Sequence, residues 1–287
     1  LDQLEERLKS RIFTGTGKMP VLHTVNCSKL INIMNNNLAS KLREGTKHSH
    51  TMAENTAFIK CFLKGIVEKE PLRKLMADFY FLYSTLEDAL EEHKDHPVIS
   101  LIYFPELNRK KNLEKDLAFY YGEDWRNQIA PSTAGKVYCD RIREVAATEP
   151  ALLVAHAYTR YMGDLSGGQG LRKIVRSSIE LPPELGTKFY EFEQIPSPED
   201  KRIFKDKYRQ ALDSLPVDDQ LAQKIVDEAN YAFSLNRDVA HELEPEVRRA
   251  IGDTLFIQIT RQDKIGSTEG RTSGDILPNP LTSGYAL

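Results

Sequence analysis

From Leu38 to about Thr260 the apolar residues recur at steps of three and four, and strand signals are scarce. That period is the mark of amphipathic helices, so the chain is expected to fold as an all-α domain of about eight helices. Leu72, Leu75, Met76, Phe79, Leu82, Tyr83, Leu86 and Leu90 form one long apolar stripe. Pro71 suits its first turn, where no backbone N–H is needed. A second helix carries Ala134, Val137, Tyr138, Ile142 and Val145 and stops before Pro150, which opens the next. Ser197-Pro198-Glu199-Asp200 has the spacing of a capping box ahead of Ile203, Phe204, Tyr208 and Leu212. A last long helix begins at Leu221 and runs through Phe233, Asn236 and Val239.

The two ends differ from this pattern. Residues 1–33 have no clear apolar period, so they are expected to be a poorly ordered extension, with the domain spanning 34–262. Residues 263–287 are rich in Gly, Ser, Thr and Pro and read as a disordered polar tail. A formal net charge of −3 over 287 residues supplies no overall basic field for nucleic acid. The three cysteines, Cys27, Cys61 and Cys139, are far apart and make no CxxC pair, which suggests a reducing compartment and neither a disulfide framework nor a zinc site. No run of about 18 apolar residues occurs, so no membrane anchor is expected.

The stretch YTRYMGDLSGGQG, Tyr158 to Gly170, sets Gly163, Gly167, Gly168 and Gly170 in an otherwise helical run. Each glycine inside a helix costs roughly 1 kcal/mol against alanine. LSGGQ is the signature of ABC-type ATPases, but such an ATPase needs a phosphate loop GxxxxGK[ST]. The nearest match, TGTGKMP, has Met19 where the hydroxyl belongs, and the alternating strands and helices are missing. Helix geometry gives the alternative: Gly163 and Gly167, at i and i+4, bare the backbone on one face, flanked by Arg160 and Asp164. Such a face suits another helix or a planar cofactor equally well.

A planar cofactor such as haem takes histidine as its usual axial ligand. Of seven histidines, His93 and His96 flank a helix end, His241 sits among acids, His23 lies in the extension, and His156 in VAHAY reads as a core residue. His50 follows Leu42 and Thr46 at i+4 steps, and Glu54 one turn later can accept its second imidazole N–H, directly or through water.

LREGTKHSHTMAENTAFIKCFLKG, YFPELNRK, LEKDLAFYYG, TEPALLVAHAYTRYMGDLSGGQ, FKDKYRQALDSLP and IVDEANYAFSLN occur in one order across residues 38–260. On these segments the chain resembles the haem oxygenases, most closely the soluble cyanobacterial and plastid-type members. The resemblance implies a single all-α domain with haem between a proximal and a kinked distal helix. It implies His50 as the axial iron ligand and Glu54 as the acid at its other nitrogen. Gly163 and Gly167 match the distal glycines, and Asp164 matches the residue that orders distal water, assisted by Arg160, Tyr83 and Thr159. Arg43, Tyr158, Lys205 and Arg209 resemble the propionate contacts, with arginine at 43 where lysine is common. Phe233 and Asn236 align with the pocket wall. Gly170 departs from the aliphatic residue usual after GGQ.

The implied reaction is oxidative opening of haem to biliverdin, with the alpha isomer expected and Fe2+ and CO released. Haem is then substrate and prosthetic group together, O2 the cosubstrate, and reduced ferredoxin the electron donor. A neutral histidine ligand gives weak push towards O–O cleavage, and glycines in place of distal His or Arg side chains give little pull. A bilin reductase downstream, and the cytoplasm or a plastid stroma as the compartment, follow from the same resemblance. A non-catalytic haem carrier or sensor on the same fold is the alternative.

Overall fold

The computed structural model describes residues 37–260; the expected extension at 1–33, the expected tail at 263–287 and both edges of the 34–262 domain lie outside them. Helices α1 (Leu38–Gly45), α2 (Lys47–Glu54) and α3 (Ala57–Leu63) come first, then the long α4 (Lys69–Glu92). Helices α5 (Lys110–Tyr121), α6 (Trp125–Gln128) and α7 (Thr133–Thr148) follow. The glycine region contains α8 (Leu153–Ala157), α9 (Gly163–Ser166) and α10 (Gly168–Ser178). The chain then runs through α11 (Pro198–Asp213), the long α12 (Asp219–Glu242), α13 (Glu244–Ile251) and α14 (Asp253–Thr260). There is no strand among the described residues.

The helix starts have local causes. Ser132 and Asp218 accept from the amides of Gly135 and Leu221, each at 2.9 Å, opening α7 and α12. Ser197 and Asp200 close the reciprocal capping box of α11. Pro71 lies in the first turn of α4, as its fixed φ favours. Gly122 ends α5 at φ 88°, a conformation that side chains with a Cβ rarely adopt.

Helices α4, α7 and α12 carry the core, and α8 is wedged among all three. Leu72, Leu82, Leu86, Tyr138, Ile142, Ile225 and Ala229 are buried here, each at its expected helical spacing. On the other side of α12 lie α1 and α2, and α11 packs on α1. Cys61 and Cys139, the two cysteines among the described residues, are buried free thiols.

Periodicity suggests longer and fewer helices than form. The expected helix opening at Pro150 is a 3-10 turn over Pro150–Leu152, then α8, a π-helical turn over Tyr158–Met162, α9, and a break at Gly167 before α10. Paired glycines weaken the helix where it breaks, and the wide π turn re-aims the side chains that follow it. The Leu42–Thr46–His50 face is interrupted as well. Thr46 lies between α1 and α2, its hydroxyl donating back to the Leu42 carbonyl at 2.7 Å. The His50 amide still bonds the Thr46 carbonyl at 2.9 Å, so the two segments keep nearly one axis.

Candidate functional site

One cavity lies between α2 and the glycine segment, enclosing about 1070 Å³ with its open mouth included. Helix α2 contributes His50, Ala53 and Glu54; α3 contributes Phe58, Ile59 and Phe62; α12 contributes Phe233, Asn236, Val239 and Ala240. Opposite stand Thr159, Arg160, Gly163, Asp164, Gly167 and Gly168. Leu75 and Phe79 of α4, with Phe189 and Tyr190, complete an apolar wall carrying few polar groups, the usual composition of a small-molecule site.

On the α2 side, the imidazole of His50 is half exposed and turned to the cavity. Its Nδ1 faces a Glu54 oxygen at 3.7 Å, leaving Nε2 as the nitrogen for a ligand. The ring of Phe233 meets it edge-on, with centroids 5.5 Å apart, and limits its rotation.

Across the cavity, a Cβ added to Gly163 would meet no atom within 4 Å, so this position opens onto free space. Asp164 stands beside that bare backbone. Its carboxylate accepts a hydrogen bond from the Tyr83 hydroxyl, which in turn accepts from Arg160 Nε at 3.0 Å. Arg160 also donates to Asn236 Oδ1, and its guanidinium lies 4.5 Å over the ring of Phe79. The nearest Arg160–Asp164 approach is 3.9 Å. Burial pushes the Asp164 carboxyl above its ordinary value, against the pull of Arg160 and Tyr83. Burial likewise holds the Tyr83 phenol well up, which keeps it a donor. Burial disfavours the Arg160 cation, but its electronegative neighbours outweigh that and hold its pKa above the ordinary value.

Thus ten of the sequence candidates meet. His50, Glu54, Thr159, Arg160, Gly163, Asp164, Gly167, Phe233 and Asn236 line the cavity, and Tyr83 stands directly behind Asp164. The four remaining candidates lie off its wall. Arg43 is exposed on α1, Lys205 is half-buried on the neighbouring α11, and Tyr158 is half-buried within the π turn. Arg209, also on α11, is exposed and bonded to Asp206 at 2.7 Å. His156 is the core histidine expected: fully buried, with Nε2 3.0 Å from Glu228.

A family model described as heme oxygenase matches residues 36–242. The chain belongs to the heme oxygenase family. It is 57% identical to heme oxygenase 2 of Synechocystis over 246 residues, covering 86% of this chain and 97% of the relative. To the heme oxygenase of the alga Porphyra purpurea it is 53% identical over 227 residues, covering 79% and 94%. Among solved structures it is similar to Synechocystis heme oxygenase-2 in complex with heme and NO, with 57% identity and a TM-score of 0.80 over 82% of this chain and 97% of that one. Heme oxygenase-1 of the same organism in complex with heme gives 55% identity and a TM-score of 0.73, covering 78% and 99%.

For a heme oxygenase, the wall holds residues that motif reading passes over. Phe58, Phe62 and Phe79 read in the sequence as ordinary core positions of their helices. Phe189 and Tyr190 sit in a short 3-10 turn without periodicity, over Lys188–Tyr190. The signal for the last two was the adjacent aromatics in GTKFYEFE, a loop otherwise rich in polar residues.

Proposed function

We propose that this heme oxygenase binds haem between His50 and the glycine segment and opens the ring to biliverdin, releasing Fe2+ and CO. O2 is the cosubstrate, reduced ferredoxin the electron donor, and the alpha isomer the product. The observation that carries this reading is a half-exposed imidazole opposite a glycine backbone that nothing covers, with a half-buried carboxyl one residue along. The residues fit haem on two counts: Nδ1 of His50 is turned to Glu54, leaving Nε2 for the iron, and Gly163 presents open space where a side chain would stand. The chemistry supplied by bound haem is the activation of O2 at its iron.

The chain's own residues do the rest. His50 would hold the haem iron through Nε2, and Glu54 would orient the imidazole and raise its basicity. Gly163 and Gly167 would leave room for a small molecule beside the bound haem without offering it a side chain. Asp164, set back and hydrogen-bonded to Tyr83, holds a proton-transfer position that reaches the cavity through water. Arg160 fixes the Tyr83 hydroxyl and, through Asn236, ties the glycine segment to α12. Phe79, Phe189 and Tyr190 exclude bulk water.

Arg43, Tyr158, Lys205 and Arg209 serve the propionates at the rim. The packing of α11 on α1 supports this, since it gathers three of these cationic side chains onto neighbouring helices. Arg209 must exchange its bond to Asp206 for one to a propionate. The cyanobacterial and algal relatives fit a cytoplasmic or plastid-stromal setting, and a bilin reductase is the consumer that a biliverdin product would call for. No helix among the described residues is long and apolar enough to cross a membrane.

A carrier needs the histidine but gains nothing from a carboxyl held by the Tyr83 hydroxyl beside the bare Gly163 backbone; this favours the enzyme. The test is incubation with haem, oxygen and a ferredoxin reducing system. Tight 1:1 binding followed by biliverdin is expected, and a stable haem spectrum without biliverdin overturns the proposal. His50→Ala should lose the iron–histidine band in resonance Raman spectra, and an unchanged band removes His50 as ligand.

A further inference from the structure

The segment from Gly186 to Phe192 is a strap whose backbone is held largely by side chains from elsewhere. Asp116, fully buried on α5, accepts the amide of Lys188 at 2.8 Å with one carboxylate oxygen and that of Phe189 at 2.7 Å with the other. Arg109 donates to the carbonyls of Phe189 and Glu191, Gln169 to that of Tyr190 at 2.7 Å, and Tyr120 to that of Gly186 at 2.7 Å. A short turn fastened this way has almost no freedom in its backbone.

The strap delivers two rings to the cavity. Phe189 packs on Phe79 and on Tyr83, with centroids 5.3 and 5.5 Å away, and Tyr83 is the donor to Asp164. Tyr190 closes on the glycine break: a Cβ on Gly168 would stand 3.7 Å from its ring. The carboxylate of Asp116 therefore acts at the cavity through Phe189 and Tyr190 without touching it. A carboxylate with two acceptor oxygens suits two neighbouring amides, whereas an amide side chain would turn its NH2 against one of them.

We propose that Asp116 is a positioning residue for the reaction: through the two amides it holds Phe189 and Tyr190 so that the substrate offers a single ring edge beside Asp164. The role rests on the proposed haem chemistry. Asp116→Asn then loosens the strap, lets the substrate settle in more than one orientation and yields more than one biliverdin isomer.

The experiment compares wild type, Asp116→Asn and Phe189→Leu. In the ligand-free protein, amide hydrogen exchange over 186–192 is expected to rise about tenfold or more in Asp116→Asn, the loss of one charge-assisted hydrogen bond. With haem, O2 and reductant, chromatography of the bilin product is expected to show one isomer from wild type and a mixture from both variants. Phe189→Leu leaves the Asp116 bonds in place and removes only the ring, so it tests the same route if Asp116→Asn does not fold. A single unchanged isomer from every folded variant overturns the role, as does unchanged exchange over 186–192 in Asp116→Asn. A wild-type chain that binds haem but makes no biliverdin refutes the proposed function instead, and the exchange result then still reports whether Asp116 holds the strap.

Discussion

The glycine segment and α12 each carry a carboxylate that solvent reaches little, Asp164 half-buried at the cavity and Glu228 buried away from it, and the two differ in state. Asp164 lies at the cavity, and its arginine, Arg160, comes no nearer than 3.9 Å; the one direct donor is the Tyr83 hydroxyl. Glu228 lies two turns back along α12 from Asn236. It receives Arg141 through two nitrogens, at 2.9 and 2.6 Å, and His156 at 3.0 Å. Burial raises both carboxyls. At Glu228 the hydrogen bonds and charges of His156 and Arg141 outweigh it and bring the pKa down to about 2, whereas at Asp164 burial prevails. A carboxylate bonded directly to cations is a fixed structural anion. One held off from its arginine by a phenol keeps the capacity to exchange a proton.

The largest expected effect is on Asp164. Asp164→Ala should bind haem within a few-fold of wild type but lose ring opening by at least about 100-fold, the scale of a removed proton-transfer group. Single-turnover bilin absorbance checks it, and a wild-type rate would place both carboxylates in the structural class. Glu228→Gln should destabilise the fold by about 2 kcal/mol while leaving the haem spectrum unchanged, because it weakens buried, charge-assisted bonds away from the cavity. The pH dependence has a definite sign. With its folded pKa lowered, Glu228 contributes stability above its unfolded value near 4.5 that is lost as pH falls through about 2. Denaturant melts between pH 5 and 2 should therefore be less steep in pH for Glu228→Gln; parallel curves would mean that the pair is not formed. The smallest effect is expected from Tyr83→Phe, which leaves Asp164 in place but takes away its donor and the acceptor of Arg160. A fall of about tenfold in turnover, with haem affinity kept, matches one lost hydrogen bond.

Much of the candidate site, though not its contrast with Glu228, was legible beforehand, because it follows from short spacings. Arg160, Asp164 and the four glycines lie within eleven residues, and His50 and Glu54 within about one helical turn. The reading of His156 in VAHAY as a core histidine rested on its apolar neighbours, which the burial of α8 explains. The π turn at Tyr158–Met162 and the break at Gly167 were only half visible. Paired glycines announce a bend, but a π turn depends on what the wedged segment packs against. Tyr83 came into the site from the family resemblance, since nothing in the α4 stripe sets it apart from Phe79 or Leu82. The strap with Asp116 was hidden altogether, for its parts are 72 and 73 residues apart and its turn has no period.

By itself the sequence determined the all-α class, the long helices, the capping box at Ser197 and the bare face of the glycine segment, because each depends on residues within a turn or two of one another. Only the tertiary structure decided which carboxylate is bonded directly to an arginine and which is not. Arg141 of α7 reaches Glu228 of α12 at 2.6 Å, whereas Arg160, four residues before Asp164, stays 3.9 Å from it because Tyr83 of α4 and Asn236 of α12 take its hydrogen bonds.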